Sequence, residues 1–303
     1  MEGPVTIAPD ADHSRLQVWI LAARPKTLWA AICPVLIGVV MAIDAQRLAV
    51  LPALAALWGA VWIQIGTNFA NDYFDFKSGA DQGERLGPLR VTQAGLVKPS
   101  IMKRATILAF GLATVAGAYL VYVAGWPILV IGLLSLMLGW LYTAGPYPLG
   151  YHGLGEIFVL VFFGPVAVAG TYYVQAQTFA WTTVVAGLAP GLMSVGILAV
   201  NNLRDADGDA LAGKRTLAVR FGKSFAKLEY IVSVIVAAMV PLSLSLWLED
   251  HYWANLTWLV PLAAIPIFRL VMTRQGRILN RALAATGMLL LLYTLLFAIG
   301  WLL

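Results

Sequence analysis

Two clusters of aspartate and asparagine, far apart in the chain, hold the side chains best suited to chemistry. The first cluster contains Asn68, Asn71, Asp72, Asp75 and Asp81, and the second contains Asp205, Asp207 and Asp209. Carboxylate and amide oxygens without histidine or cysteine favour a hard cation, and magnesium is typically held by one or two carboxylates together with phosphate oxygens. The clusters therefore predict two halves of one site for magnesium and a diphosphate.

The spacing within each cluster favours convergence on a helix. Asn68, Asp72 and Asp75 lie at i, i+4 and i+7, so they share one face if their helix continues past Ala70. Asp205 and Asp209 are four residues apart, whereas an intervening Asp207 would point elsewhere. Carboxylates this close repel one another, the more so near a membrane, and they need a cation.

Basic residues lie beside both clusters. Lys77, Lys214 and Arg215 would bind the same diphosphate, the arginine in bidentate fashion. The alternative is ordinary loop chemistry, in which Asp and Asn cap helices and Lys and Arg anchor the membrane edge. We favour the metal and diphosphate site, because anchoring accounts for the bases but not for the matched acids.

The elements that position these clusters are apolar segments of membrane-spanning type. Hydrophobic residues make up 60% of the chain and charged residues 12%, against about 25% charged in soluble domains. Nine mostly apolar segments run over Leu28–Met41, Leu51–Ala70, Ala105–Val123, Pro127–Leu141, Ile157–Val174, Thr183–Val200, Tyr230–Leu248, Leu256–Met272 and Ala282–Leu302. We expect an all-α, multi-pass transmembrane bundle of about nine helices. It forms a single domain over residues 1–303, with a polar tail over residues 1–16.

The distribution of basic residues predicts the orientation in the lipid bilayer. With a cytoplasmic N-terminus, 19 of the 20 Lys and Arg residues fall on the cytoplasmic side, and Arg47 is the exception. This topology explains the net charge of +5 without a nucleic-acid partner. It places the Asp-rich loops, 72–104 and 201–227, on the cytoplasmic side, and we expect the membrane to be the plasma membrane of a prokaryotic cell.

Other chemistries have less support. The three histidines are scattered, and neither a phosphate-binding loop nor a nucleophile elbow is present. An ion-coupled membrane transporter is the main alternative of another class, but transport sites usually lie near the bilayer midplane. Here the acids lie at helix ends, and this favours an enzyme.

At these residues the chain resembles the UbiA superfamily of intramembrane prenyltransferases. Asn71-Asp72-Tyr73-Phe74-Asp75 matches its Asn-Asp-x-x-Asp motif, and Asp205 through Asp209 matches its second motif, Asp-x-x-x-Asp. The last Asp of the first motif usually lies where this chain has Gly79, and we expect Asp81 to replace it. The resemblance implies that the magnesium ligands are Asn68, Asp72, Asp75, Asp81, Asp205 and Asp209.

Longer strings are most similar to one branch of the superfamily. They are Arg24-Pro25-Lys26-Thr27-Leu28, Asn68 through Asp81, Tyr142-Thr143-Ala144-Gly145-Pro146, Gly153-Leu154-Gly155-Glu156 and Gly213 through Arg220. The branch moves a polyprenyl group from its diphosphate to 1,4-dihydroxy-2-naphthoate, losing diphosphate and carbon dioxide and giving demethylmenaquinol for menaquinone. Related branches use 4-hydroxybenzoate, homogentisate or chlorophyllide as the aromatic acceptor.

The resemblance also implies roles for individual residues in a magnesium-dependent transfer. Catalytic roles fall to Asp72, Asp75, Asp205, Asp209, Lys214, Arg215 and Tyr142. Substrate binding falls to Asn68, Asn71, Tyr73, Lys77, Arg24, Lys26, Tyr147 and Glu156. Tyrosine faces would stabilise an allylic cation. The alternatives are interfacial anchoring by the tyrosines, snorkelling by Arg24 and Lys26, and a helix-dipole contact by Glu156.

Overall fold

A computed structural model describes residues 14–78, 86–142 and 148–303, and within these ranges the regular secondary structure is helical. The α-helices are α1 (Arg15–Ala23), α2 (Pro25–Asp44), α3 (Val50–Ser78), α4 (Pro99–Ala124), α5 (Trp126–Leu141), α6 (Gly155–Phe162), α7 (Pro165–Ala176), α8 (Trp181–Leu211), α9 (Leu217–Phe221), α10 (Lys223–Leu248), α11 (Leu259–Thr273) and α12 (Leu279–Leu302). Short 3-10 helices cover Leu149–Tyr151, Tyr252–Trp258 and Gly276–Ile278.

Eight helical stretches of the described chain are long and apolar enough to cross a membrane. They are Pro25–Asp44, Val50–Lys77, Pro99–Ala124, Gly155–Ala176, Trp181–Leu211, Lys223–Leu248, Tyr252–Thr273 and Gly276–Leu302. The apolar helix α5 is shorter, and its 16 residues extend about 24 Å against a hydrocarbon core of about 30 Å. Together they match the nine predicted segments, and the prediction of an all-α, multi-pass bundle is confirmed.

Two helices extend well beyond their apolar parts. α3 continues to Ser78 and α8 to Leu211, so Asn68 through Asp75 and Asp205 through Asp209 lie on helix ends rather than in loops. Asn68, Asp72 and Asp75 are all less than 5% exposed. The helix therefore continues past Ala70, as the predicted shared face of these three residues requires.

The main core joins helices from both halves of the chain. α8 packs on α10, and α12 packs on both α2 and α8. Cys33 is fully buried in this core, which also contains Phe297. The first and last spanning helices are thus neighbours, which closes one side of the bundle.

A break between α6 and α7 depends on glycine. A Cβ atom on Gly164 would lie 2.4 Å from the carbonyl oxygen of Leu160 and 2.6 Å from that of Gly187 on α8. A Cβ on Gly187 would in turn lie 2.6 Å from the Cα of Pro165. Small residues allow this close approach of helices in a membrane, so the two half-helices together form one crossing packed against α8.

The connection before α6 is bound to the connection after α8. The amide of Arg215 donates to the carbonyl of Tyr151 at 2.7 Å, and the Arg220 guanidinium donates to the carbonyl of His152 at 2.8 Å. Gly153 has a φ of +71°, and a Cβ there would lie 2.8 Å from the carbonyl of Arg215. These contacts place Tyr151 beside the end of α8.

The orientation can be tested with single cysteines, because native Cys33 is fully buried. Ser100→Cys and Ser224→Cys introduce thiols at exposed positions predicted to be cytoplasmic, whereas Ala45→Cys introduces one on the opposite side. We expect a membrane-impermeant thiol reagent to label only the Ala45→Cys protein in intact cells, and all three after permeabilisation. Labelling of the position 100 or 224 thiol in intact cells would contradict the topology.

Candidate active site

A large cavity opens at the ends of α3 and α8. Its volume is about 1220 Å³, and α2, α3, α4, α5, α6, α7 and α8 all contribute to its wall. Along α3 the lining extends from Asp75 to Ala56, a distance of about 28 Å at 1.5 Å per residue. Polar and charged side chains concentrate at one end and apolar ones at the other, so the cavity suits a long amphipathic molecule.

Asp75 is the central acid of the first half of the mouth. It is 4% exposed and forms an ion pair with the buried guanidinium of Arg90. The Tyr151 hydroxyl donates to its second carboxylate oxygen at 2.9 Å. Both partners come from segments outside α3, so the carboxylate is held from two sides.

Asp72 fixes the segment that supplies Arg90, which we call the cap segment (residues 86–97). Its carboxylate oxygens accept hydrogen bonds from the amides of Val91 and Thr92 at 3.1 and 3.0 Å. Within the segment, the amide of Leu96 donates to the carbonyl of Val91 at 2.9 Å. Asp72 is 2% exposed and lies behind the cavity wall. In this structure it positions the cap segment.

Asn68 holds the break between α1 and α2. Its side-chain amide donates to the carbonyl of Ala23 at 2.9 Å and to the Thr27 hydroxyl at 3.1 Å. Arg24, at the break, has the left-handed φ of 51°. Arg24 and Lys26 consequently line the same cavity mouth as Asn68.

The second half of the mouth lies on the last turns of α8. Asp205 pairs with Arg204, and Asp209 pairs with the Lys214 ammonium at 3.1 Å. Asp207 instead pairs with Lys223 at 2.7 Å, with its side chain 81% exposed. All three acids line the cavity, but Asp207 has the most exposed side chain, and its partner Lys223 is not part of the lining.

Tyr151 joins the two halves. Its hydroxyl bonds to Asp75, while the Lys214 ammonium lies 4.7 Å from the centre of its ring in a cation–π contact. Lys214 in turn pairs with Asp209. The structure thus brings Asp75 and Asp209, one acid from each cluster, to one cavity mouth through a continuous series of contacts.

Tyr142 and Glu156 lie next to this mouth. Burial raises the pKa of the Tyr142 phenol, and the carboxylates of Glu156, Asp209 and Asp75 raise it further. Tyr142 lines the cavity and remains a protonated hydrogen-bond donor at neutral pH. Glu156 is 7% exposed and accepts a hydrogen bond from the Asn202 amide at 2.9 Å. It lies behind Asn202, which itself lines the cavity.

The donor set fits a magnesium ion shared with a phosphate. Among the described residues, no group of three or more His, Cys, Asp or Glu side chains is arranged to hold a metal ion unaided. Asp75, Asp205 and Asp209 line the cavity together with Asp207, and they have the most buried side chains of these four acids. Magnesium usually takes one or two carboxylates and completes its shell with water and substrate phosphates.

Several predicted residues are not brought to the cavity wall. Asp72 faces the cap segment, Tyr73 packs against Phe74 with ring centres 5.0 Å apart, and the side chains of Lys77 and Arg215 are exposed away from the lining. Asp81 and Tyr147 lie outside the described residues. The ligand and substrate roles of these residues stay predictions. Asn68, Asn71, Asp75, Tyr142, Asp205, Asp209, Lys214, Arg24 and Lys26 all line the cavity.

Some residues that line the cavity were not among the site residues predicted from the sequence. Arg90 and Tyr151 reach Asp75 from positions 15 and 76 residues away in the chain. Asn280 reaches the site from α12 and contacts both Arg204 and the carbonyl of Leu86. Arg204 alone could have been found, because it directly precedes Asp205 in the second motif.

Comparison with known proteins shows the family to which this chain belongs. The model of the UbiA prenyltransferase family matches residues 31–295, and the chain belongs to this family. The structure is similar to that of a UbiA homolog from Archaeoglobus fulgidus bound to GPP and Mg2+, with a TM-score of 0.70 at 14% identity, covering 94% of this chain and 100% of that one. At that identity the likeness concerns the fold.

Relatives of higher identity narrow the comparison. The chain is 38% identical to the 1,4-dihydroxy-2-naphthoate octaprenyltransferase of Escherichia coli (strain K12), over 91% of this chain and 89% of that protein. It is 37% identical to the enzyme of the same name from Mycobacterium tuberculosis (strain ATCC 25618 / H37Rv), over 91% of this chain and 94% of that protein. The resemblance to this branch, predicted from the motifs, is confirmed.

Two neighbouring aspartates on α8 give a matched test of the site. We expect Asp209→Asn to lower the rate of prenyl transfer per folded enzyme by about 100-fold or more, the usual scale for losing one charged contact in a transition state. Asp207→Asn should stay within about fivefold, because its side chain is 81% exposed and exposed ion pairs contribute roughly 1 kcal/mol or less. Turnover in detergent, normalised to folded protein, measures both. Similar rates for the two variants would contradict the site.

Proposed function

We propose that this membrane enzyme transfers a polyprenyl group from polyprenyl diphosphate to 1,4-dihydroxy-2-naphthoate. Diphosphate and carbon dioxide leave, and demethylmenaquinol forms in menaquinone biosynthesis. The observation that carries the proposal is the meeting of two acid clusters at the polar end of a long apolar cavity. The names of the 34–38% identical relatives supply the acceptor.

The acids and bases at the mouth suit a diphosphate head group. Asp75, Asp205 and Asp209 would hold magnesium, which when bound supplies positive charge to the departing oxygens. Arg90 and Lys214 are paired with Asp75 and Asp209 in the structure. Their N–H groups lie where they can turn from the acids to phosphate oxygens, with charge-assisted hydrogen bonds.

The wall next to the mouth suits the reacting carbon atoms. Tyr142, Tyr151, Phe158 and Phe162 line this region, and their ring faces would stabilise the allylic cation left when the carbon–oxygen bond breaks. The acceptor ring attacks that cation with an electron pair, and its carboxylate carbon leaves as carbon dioxide. Arg24 and Lys26, at the same mouth, would attract the acceptor carboxylate before the reaction.

The direct test is an assay of the purified protein in detergent. Labelled polyprenyl diphosphate and magnesium are supplied with 1,4-dihydroxy-2-naphthoate, 4-hydroxybenzoate, homogentisate or chlorophyllide in separate reactions. We expect product only with the naphthoate, no product after chelation of the metal, and recovery when magnesium is restored. Preferred use of another acceptor would overturn the assignment, and turnover unaffected by chelation would overturn the metal site.

The apolar cavity predicts how the enzyme discriminates among tail lengths. Gly117 on α4 lines the cavity, and a Cβ there would meet nothing within 4 Å. It follows Ala116, which faces Gly59 on α3, about 24 Å along that helix from Asp75. A phenylalanine at this depth would obstruct a long tail but not a ten-carbon one.

We therefore expect Gly117→Phe to lower the rate with octaprenyl diphosphate by about tenfold or more, since a phenyl ring and a long tail competing for the same space cost on the order of 1–3 kcal/mol. The rate with geranyl diphosphate should change by less than about threefold. Gly111→Phe is the control, because Gly111 lies on the same helix, is exposed, and does not line the cavity. Equal loss with both donors in the Gly117→Phe enzyme would contradict this placement of the tail.

A further inference from the structure

Arg204 has an unusually complete set of contacts for a residue beside the proposed metal site. It is 4% exposed. Its guanidinium donates to both carboxylate oxygens of Asp205 at 2.8 and 2.5 Å, to the Asn201 side chain at 2.7 Å, and to the Asn280 side chain at 2.7 Å. All four acceptor oxygens belong to side chains of three residues that line the cavity.

Asn280 carries this network to the other half of the site. Its side-chain oxygen accepts from Arg204, while its side-chain amide donates to the carbonyl of Leu86 at 2.8 Å. Leu86 begins the cap segment, which supplies Arg90 to Asp75. One hydrogen-bonded path thus links the second acid cluster, through α12, to the segment that covers the first.

We propose that Arg204 and Asn280 are positioning residues that set the geometry of the metal and diphosphate site through the groups they hold, Asp205 and the cap segment. Arg204 fixes the direction of the Asp205 carboxylate, and Asn280 holds the cap segment at the correct distance from α8. The inference rests on the proposed function, because it assigns these residues a role toward the same magnesium and diphosphate.

The chemistry of the two side chains explains why these residue types are needed. A guanidinium donates two parallel hydrogen bonds to a carboxylate and so fixes the plane of the carboxylate. A lysine ammonium acts as a point charge and does not fix that plane. Asp205 lies one helical turn from Asp209 and is partly exposed, with a side chain 25% accessible. Without the two hydrogen bonds from Arg204, the Asp205 carboxylate is free to rotate away from Asp209.

Asparagine at position 280 supplies an acceptor and a donor on one planar group. An aspartate there still accepts from Arg204 but has no donor for the carbonyl of Leu86. Asn280→Asp therefore cuts the path at one identified bond and keeps the other. Residues that orient metal ligands from outside typically alter metal affinity or activity by about 10- to 100-fold when changed.

The test is a calorimetric measurement of how magnesium and inorganic diphosphate bind to the full-length protein in detergent. No turnover occurs under these conditions, because no prenyl group is supplied. We expect Arg204→Lys and Asn280→Asp each to weaken magnesium-dependent diphosphate binding by about tenfold or more. We also expect each to raise the magnesium concentration that gives half-maximal turnover. Asn255→Asp is the matched control, because Asn255 also donates through its side-chain amide, to Ser245 and Tyr252, away from the cavity.

The binding results separate the positioning role from the proposed function. If the wild-type protein binds diphosphate with magnesium and both variants bind as tightly as the control, the positioning role is wrong while the proposed function stands. If the wild-type protein neither binds nor turns over, the proposed function fails and this inference with it. A purely structural role predicts a lower melting temperature with unchanged binding per folded molecule. Should Arg204→Lys fail to fold, the Asn280→Asp protein alone decides the matter.

Discussion

The structure depends on neutralising several buried carboxylates at the polar end of an apolar cavity with basic side chains and backbone amides. A carboxylate next to a membrane interior is costly unless a cation or a set of hydrogen-bond donors accompanies it. Asp75, Asp205 and Asp209 each pair with a basic side chain, and Asp72 accepts two backbone amides. The local fold follows from this requirement, because the cap segment, the Tyr151 turn and the start of α12 all converge on these acids.

The same compensation prepares the site for its substrates. Arg90 and Lys214 neutralise acids in the free protein, and a metal ion taking over those acids would leave the two bases for the diphosphate. Substrate and metal would then depend on one another for binding, since neither fits the mouth as well alone. Below the mouth, glycine and other small residues on α3, α4 and α5 leave room for the tail.

The sequence contains the information that fixes the spanning helices and the acid clusters, because apolar periodicity and local spacing act within a single helix. The i, i+4 and i+7 spacing predicted that Asp75 shares a face with Asn68, and the continuation of α3 to Ser78 meets the condition on which that prediction depended. The contacts of Arg90, Tyr151 and Asn280 arise from tertiary packing between segments far apart in the chain. No local pattern specifies them, and for the same reason Asp72 turned toward the cap segment rather than the cavity.

The central claim is that the two acid clusters form one site for a divalent metal and a polyprenyl diphosphate. The most direct measurement is calorimetric binding of a non-reactive polyprenyl diphosphate analogue to the wild-type protein, with and without magnesium. Binding linkage is reciprocal. We expect magnesium to tighten analogue binding, and the analogue to tighten magnesium binding by the same factor. Analogue affinity that is identical in magnesium and in chelator would contradict the central claim.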